Sequence, residues 1–368
     1  MDRLKRLQAA LQSQFPSVEA LLVTHPPDVR YLAGFTGSNA ALVLPMSAGG
    51  RGKKSSALLF TDGRYIEQAQ QETENAHVVI GQGPVLREAC TWMQAQKVRN
   101  CAFDSEHTTV ATLATLRQSI AGKQRRSFFQ PVPSLTAIQR QIKTPEEIAR
   151  MRIAARLGCS LFEKLLTILE PGKREVEMAA HLEFGARMAG AEGMSFETIV
   201  ASGKRSALPH GQASKQRLPR GGFVVLDFGV MLSGYCSDMT RTVHLGPATV
   251  VERSAYEAVL EAQMAAVAAV RHGVSCGDVD EAARSVLRRE KLADYFTHST
   301  GHGVGLEIHE GPRIAARQEQ RLEAGMVITV EPGVYLPGRF GVRIEDMVVV
   351  TNGAPEILTH CTKAWMEL

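Results

Sequence analysis

The chain contains no long apolar run, no regular cysteine framework and almost no imbalance of charge, and each absence removes a class of protein. The longest uncharged stretch, Tyr31 to Gly50, carries four glycines, a proline, an asparagine and several hydroxyls. Such a segment is unsuited to a bilayer, where backbone polar groups must be satisfied within the span. The six cysteines (Cys90, Cys101, Cys159, Cys236, Cys276 and Cys361) are scattered with no CxxC pair, a pattern of structural thiols in a reduced compartment. Met1-Asp2-Arg3-Leu4-Lys5-Arg6 is charged and leads into an amphipathic helical pattern instead of an apolar signal core. A cytoplasmic protein without membrane attachment is the expectation.

The 368 residues include 42 Lys plus Arg against 38 Asp plus Glu, a net charge of +4. So small an excess, spread along the chain, does not ask for a nucleic-acid partner. The locally basic Arg51-Gly52-Lys53-Lys54 reads as a solvated turn. At roughly 100 to 200 residues per domain, the length suggests two domains, each large enough to bury its own core.

Residues 1 to about 138 alternate short apolar runs with helical patterns. Strands are expected at 20–23, 41–44, 57–60, 77–80 and 100–103, and helices near 2–13, 64–72, 84–97 and 108–121, which together argue an α/β layer domain. Pro131 and Pro133 precede Thr144-Pro145-Glu146-Glu147, where an N-cap threonine, a proline at N1 and a glutamate at N3 open a long helix. A second domain therefore begins near residue 139. Helices at 145–169 and 175–189 lead to strands around 196–201, 223–230 and 235–244. Helices at 252–272 and 278–291 then lead to strands at 326–331 and 342–350. Helix, helix, strands occurs twice, as an internal duplication about a pseudo-two-fold axis would produce.

Asp227 ends the apolar run Phe223-Val224-Val225-Leu226, where an isolated carboxylate is costly unless paired or bound to metal. A hairpin turning at Leu232-Ser233-Gly234 would pair position 227 with 238 or 240, and either register puts Asp227 and Asp238 on one face. Glu331 ends a second apolar strand, Met326 to Val330. In Val342-Arg343-Ile344-Glu345, period-two alternation puts Arg343 and Glu345 on a common face. His302 lies in Gly301-His302-Gly303-Val304-Gly305, whose glycines permit close backbone approaches. Any of these carboxylates alone reads as a cap or a solvated strand end. Converging, they repel, and a pair of divalent cations is the economical compensation. Oxygen ligands with one imidazole suit Mn²⁺ or a similar ion better than a thiolate zinc site.

Other signals are weaker. The glycine run at 301–305 lacks the dinucleotide fingerprint, and Arg313 stands where a zincin HExxH motif after His309-Glu310 would need histidine. Cys236 reads as a small core filler, and His244, His272 and His298 as strand or loop histidines.

The motifs Leu208-Pro209-His210-Gly211, Asp227-Phe228-Gly229, Ser237-Asp238-Met239-Thr240-Arg241-Thr242, Gly301 to Gly305 with Ile308-His309-Glu310, Glu331-Pro332-Gly333 and Val342 to Asp346 come in the order of the Xaa-Pro peptidases. The chain resembles an aminopeptidase P or prolidase of the pita-bread fold shared with methionine aminopeptidase and creatinase. Asp28 to Phe35 and Thr61 to Tyr65 resemble that family's creatinase-like first domain. The resemblance implies an α/β creatinase-like domain over residues 1–138. It also implies an α+β pita-bread catalytic domain over 139–368, with the internal pseudo-two-fold repeat. It further implies that Asp227 binds one metal, that Asp238 and Glu345 bridge both, and that His302 and Glu331 complete the second site. The ions would be Mn²⁺, with Co²⁺ or Zn²⁺ as alternatives. His210 and His309 resemble the family's non-ligand histidines near the scissile carbonyl, and Arg343 and Tyr335 match further substrate-side positions. Lys204-Arg205 departs from the smaller polar residue many relatives carry there.

The implied reaction is hydrolysis of Xaa-Pro bonds in dipeptides or at peptide N-termini, with Glu331 handling the proton. An Xaa-Pro bond is a tertiary amide whose nitrogen offers no N–H to grip. A peptide substrate and a homodimer are implied, with neither nucleic acid nor membrane as partner. A broader Met- or Ala-type aminopeptidase and a non-catalytic pita-bread binding protein are the alternatives. The first usually lacks the N-terminal domain, and the second would have lost ligand residues that this chain keeps.

Overall fold

The computed structural model describes residues 3–46 and 56–368, so the basic turn at Arg51 to Lys54 lies outside the described residues. The chain divides into two compact units, Met1–Arg140 and Gln141–Leu368.

The first unit runs α1 (Arg3–Gln14), β1 (Ala20–Val23), α2 (Pro26–Ala33), β2 (Ala40–Pro45), β3 (Ala57–Asp62), α3 (Ile66–Glu72) and β4 (Ala76–Gly81). It continues through α4 (Val85–Ala95), β5 (Cys101–Asp104), α5 (Val110–Ser119), β6 (Phe129–Val132) and α6 (Leu135–Arg140). The five strands expected from the alternating pattern are all present, in one sheet ordered β4-β3-β2-β1-β5-β6. Helix α1 buries Leu4, Leu7 and Leu11, one apolar stripe at helical spacing. Helix α2 is too short for periodicity to reveal. Its signals are Pro26 in the first turn and Gly34, whose φ of 80° ends the helix in a left-handed conformation that glycine adopts without strain. The buried Arg140 guanidinium meets the buried Asp28 carboxylate at 2.8 Å, tying α6 to α2.

The second unit opens with α7 (Pro145–Leu166), whose capping box forms as expected: Glu147 Oε2 accepts from the Thr144 N–H at 2.7 Å, and Thr144 Oγ1 accepts from the Glu147 N–H at 3.3 Å. Then come α8 (Glu175–Met188), β7 (Gly193–Met194), β8 (Ile199–Ser202), β9 (Gly222–Phe228), β10 (Val230–Leu232), β11 (Tyr235–Cys236) and β12 (Met239–Leu245). A second helix pair, α9 (Val250–Ala269) and α10 (Cys276–Arg289), precedes β13 (Gly301–Gly303), β14 (Glu310–Ile314), β15 (Val327–Val330), β16 (Gly333–Leu336), β17 (Phe340–Arg343), β18 (Asp346–Val349) and β19 (Glu356–Ile357). Helix pair followed by antiparallel strands thus occurs twice. The first half forms the sheet β12-β9-β8 and the second the sheet β14-β13-β15-β18-β19.

The hairpin turns where the sequence places it. Leu232 pairs with Tyr235 across Ser233 (φ 51°) and Gly234 (φ 82°), the two positive-φ positions of a tight two-residue loop. Farther along, Asp227 pairs with Thr240. The span 342–350, read from sequence as one strand, is two. It leaves the β16-β17 ribbon after Arg343 and joins β15 from Asp346. At the break, the Glu345 N–H donates to the Thr240 carbonyl at 3.1 Å, drawing the chain across to β12. Strand β12 is an edge, and the chain's last residues cover it: His244 N–H donates to Met366, and Leu368 N–H donates back to His244.

Arg241, 1% exposed, is the largest fully buried side chain. Its guanidinium meets Asp346 Oδ1 at 2.8 Å and donates to the carbonyls of Glu345, Thr359, Cys361 and Thr362. Arg241→Ala takes one of two cations from the buried Asp346 carboxylate, leaving Lys363, and leaves the buried carbonyls of Glu345, Thr359, Cys361 and Thr362 without that donor, a class of change that costs about 3 to 5 kcal/mol. A thermal melt is expected to fall by roughly 10 °C or more, and an unchanged midpoint would contradict this reading of the core.

Candidate active site

A cleft of about 590 Å³ in the second unit is lined by Asp227, Asp238, His302, Glu331 and Glu345, together with His210, His309, His298 and Arg343. This is the size of small-ligand and peptide pockets. All five residues proposed from sequence as metal ligands therefore face one space, and they come from both halves of the unit. Asp227 and Asp238 come from the β9–β12 hairpin, Glu331 follows β15, His302 sits in β13, and Glu345 lies between β17 and β18.

The glycines beside His302 serve close packing. A Cβ on Gly301 would fall 2.0 Å from the Thr329 carbonyl oxygen, and one on Gly303 2.0 Å from that of Gly311. The His302 ring is aimed by its Nδ1, 3.0 Å from the Gly303 carbonyl. A carbonyl can only accept, so Nδ1 carries the proton and Nε2 presents its lone pair. That Nε2 stands 3.6 Å from Asp238 Oδ2 and 3.5 Å from Glu331 Oε1. One ligand atom from each of Asp238, His302 and Glu345 lies within 4.8 Å of the others. Ligands at about 2.0 to 2.2 Å from a common cation lie no more than about 4.4 Å apart, so a modest closure brings the three atoms onto one ion.

Asp227 and Glu345 are each half satisfied. Asp227 Oδ2 accepts from Arg343 at 2.5 Å, and Glu345 Oε2 accepts from the Thr240 hydroxyl at 2.7 Å. The other oxygen of each, Asp227 Oδ1 and Glu345 Oε1, is buried with no hydrogen-bond partner. Orphaned carboxylate oxygens are rare in native proteins and call for a compensating group. Hard oxygen donors with one imidazole fit a divalent cation there.

The electrostatics agree. Burial, with the charges of Glu345, Asp227 and Glu331, holds Asp238 well above the usual carboxylate range. Burial and the charges of Glu331 and Asp227 do the same to Glu345. Glu331 is pushed up to about 8 by burial, against the opposing Arg343 cation and with the charge of Asp227 adding. Burial holds His302 down to about 4, so its ring is neutral and available to a cation. Arg343 stays charged against the effect of burial through Tyr335, Asp227 and Glu331.

Tyr335, expected at the substrate side, stands behind the cleft. Its hydroxyl accepts from Arg343 at 2.6 Å and lies 3.0 Å from His298 Nε2. His298, read from sequence as a loop histidine, lines the cleft, and no pattern beyond its place four residues before His302 marks it. Thr240 pairs with Asp227 in the hairpin register, which puts it on the face of Asp238. It donates to Glu345 and accepts from Arg343 Nε at 3.1 Å. Arg205, from the Lys204-Arg205 pair, meets the buried Glu175 at 3.0 Å and donates to the Gln212 carbonyl at 2.6 Å. It thus braces a cleft-lining loop.

Residues 149–352 match metallopeptidase family M24, and residues 3–142 match the creatinase/prolidase N-terminal domain. An uncharacterised peptidase of Bacillus subtilis (strain 168) is 37% identical over 346 residues, 94% of this chain and 95% of its own length. Among solved structures, an Xaa-Pro dipeptidase from Bacillus anthracis is 36% identical with a TM-score of 0.93, covering 100% of this chain and 99% of its own. An X-Pro aminopeptidase from Thermotoga maritima MSB8 is 33% identical with a TM-score of 0.88, over 100% of both chains.

In chelator-stripped protein, Glu331 keeps in the folded chain, between about pH 4.5 and 8, a proton that it loses in the unfolded one. Stability from Glu331 is therefore present below its unfolded value and lost as pH rises through the folded one. A cation replaces those protons. The melting difference between metal-loaded and chelator-stripped protein is expected to widen from about pH 5.5 to 8.5. A gap that stays constant or narrows would sink this account of the cleft.

Proposed function

The chain belongs to metallopeptidase family M24, with a creatinase/prolidase N-terminal domain ahead of the catalytic one, and from that membership we propose that it hydrolyses Xaa-Pro bonds in dipeptides or at peptide N-termini. The observation that carries the reading is the pair of orphaned oxygens, Asp227 Oδ1 and Glu345 Oε1, in one cleft with Asp238, His302 and Glu331. The names of its structural relatives, an Xaa-Pro dipeptidase and an X-Pro aminopeptidase, support the proline specificity.

In this proposal Asp227, Asp238, His302, Glu331 and Glu345 hold two divalent ions. Mn²⁺ is favoured by the oxygen-rich donor set, with Co²⁺ or Zn²⁺ as substitutes. Such ions, when bound, acidify water and polarise a carbonyl. The chain's own residues do the rest. Arg343 fixes Asp227 and Thr240 fixes Glu345, so neither carboxylate swings away from the cleft. Glu331 takes a proton at its carboxylate from the attacking water and passes it to the proline nitrogen as that nitrogen leaves. His309 and His210 stand at the cleft as donors for the carbonyl oxygen as it gains charge. A nitrogen without N–H is no handicap, because the groups gathered here address the carbonyl and deliver the proton.

Among the described residues no helix is long and apolar enough to cross a membrane, and all six cysteines are buried thiols outside any disulfide. Both observations support a cytoplasmic setting. The family resemblance supports a homodimer acting on peptides, checked by sedimentation velocity.

Stripped protein reloaded with Mn²⁺ is expected to cleave Ala-Pro or Ala-Pro-Ala well ahead of Met-Ala-Ser. Equal rates on all three would favour a general aminopeptidase. Glu331→Gln should lower kcat by about 10² to 10⁴ while the far-UV spectrum stays native. His309→Ala should lower kcat by roughly 10² to 10³ with metal content retained; a fully active variant would remove the histidine from the reaction.

A further inference from the structure

Strands β1 and β5 of the first unit lie side by side and parallel, Leu22 opposite Phe103. The carboxyl ends of neighbouring parallel strands are where α/β sheets gather ligands. The chain leaving β1 reaches His25, the residue that precedes α2, and the chain leaving β5 reaches His107. The two imidazoles stack, with centroids 3.8 Å apart and planes 14° from parallel. Each is held by an aspartate three residues away. His25 Nδ1 lies 3.2 Å from Asp28 Oδ2, and His107 Nδ1 lies 2.8 Å from Asp104 Oδ2.

This arrangement has the chemistry of a cation site. One ligand atom from each of His25, Asp28 and His107 falls within 4.8 Å of the others. Asp104 accepts only, so His107 directs an Nδ1 proton at it and Nε2 is the nitrogen left to face a cation, the carboxylate–histidine arrangement that supports metal ligands. Asp104 remains a carboxylate: burial raises its pKa, but hydrogen bonds from Ser134 and His107 outweigh it and the net shift is downward. Arg140 at 2.8 Å from Asp28 Oδ1 offsets one of the two carboxylate charges of Asp28 and Asp104. The His107 side chain is 28% exposed, which gives an ion a way in and leaves that ring room to turn towards its stacked neighbour.

We infer that His25, His107 and Asp28 bind a single imidazole-preferring dication, Zn²⁺, Ni²⁺ or Cu²⁺, with Asp104 orienting His107 from behind. Two imidazoles to one carboxylate select these ions over the harder Mn²⁺ suited to the oxygen-rich cleft. None of the four residues lines that cleft. The ion would pin the start of α2 to the loop after β5, a structural role separate from peptide hydrolysis.

The test counts metal. Full-length wild type, His107→Gln and His25→Gln are stripped with chelator, dialysed against micromolar free Zn²⁺ and analysed for zinc per chain. Each variant is expected to hold one equivalent fewer than wild type, while cleaving Ala-Pro at the wild-type rate when reloaded with Mn²⁺. Zinc should raise the melting temperature of a cleft-disabled Asp238→Asn chain but not of the same chain carrying His107→Gln. Equal zinc in wild type and the exposed-loop variant His107→Gln overturns the proposal, as does a difference that emerges only at millimolar zinc. If His25→Gln fails to fold, His107→Gln decides. Because the count is a difference between chains, it stands whether or not the cleft proves to be an Xaa-Pro peptidase.

Discussion

Four carboxylates that are largely withdrawn from water and cannot move apart are the constraint around which the catalytic unit is built. Asp227, Asp238 and Glu345 are buried and Glu331 is half-buried, and the Arg343 cation reaches into them. Coulomb repulsion at these separations in a poorly solvated cleft far exceeds what one guanidinium can offset. The cleft therefore binds protons when no cation is present, and the raised carboxylate pKa values express that unmet demand.

The fold meets the demand by making the carboxylates immobile. Each rides on or beside a strand whose register is fixed by its neighbours, and three of the five candidate ligands are steered by a second residue: Arg343 for Asp227, Thr240 for Glu345, the Gly303 carbonyl for His302. Arg241 anchors the same strand from its other face, holding Asp346 and the turn that carries Glu345. Alternate positions along β12 are thus divided, Thr240 towards the cleft and Arg241 towards the buried carbonyls of the C-terminal segment. Repulsion at the site is resisted by hydrogen bonds on both faces of one strand.

Much of this was legible in the residues. Acidic side chains ending apolar runs were physically anomalous, and the hairpin at Ser233-Gly234 converted two sequence-distant aspartates into neighbours. The capping box at Thr144 marked the start of the second unit's first helix. What escaped was of two kinds. Short or broken elements such as α2 and the β17–β18 interruption carry too few residues for periodicity, and the break is set by a hydrogen bond from Glu345 to a strand a hundred residues away. The contact of His298 with Tyr335 joins segments far apart in the chain, which no spacing encodes. The stacked pair His25 and His107 belongs to this second kind.

The final ten residues contain almost no regular structure, yet His244 and Gly246 exchange backbone hydrogen bonds with Met366 and Leu368 along the outer side of β12. An uncovered strand there would present a row of vacant donors and acceptors, the template by which β proteins join edge to edge. The tail acts as a selvedge, the finished border that keeps a woven cloth from catching on its neighbour. It seals the very sheet that carries both aspartates of the cleft.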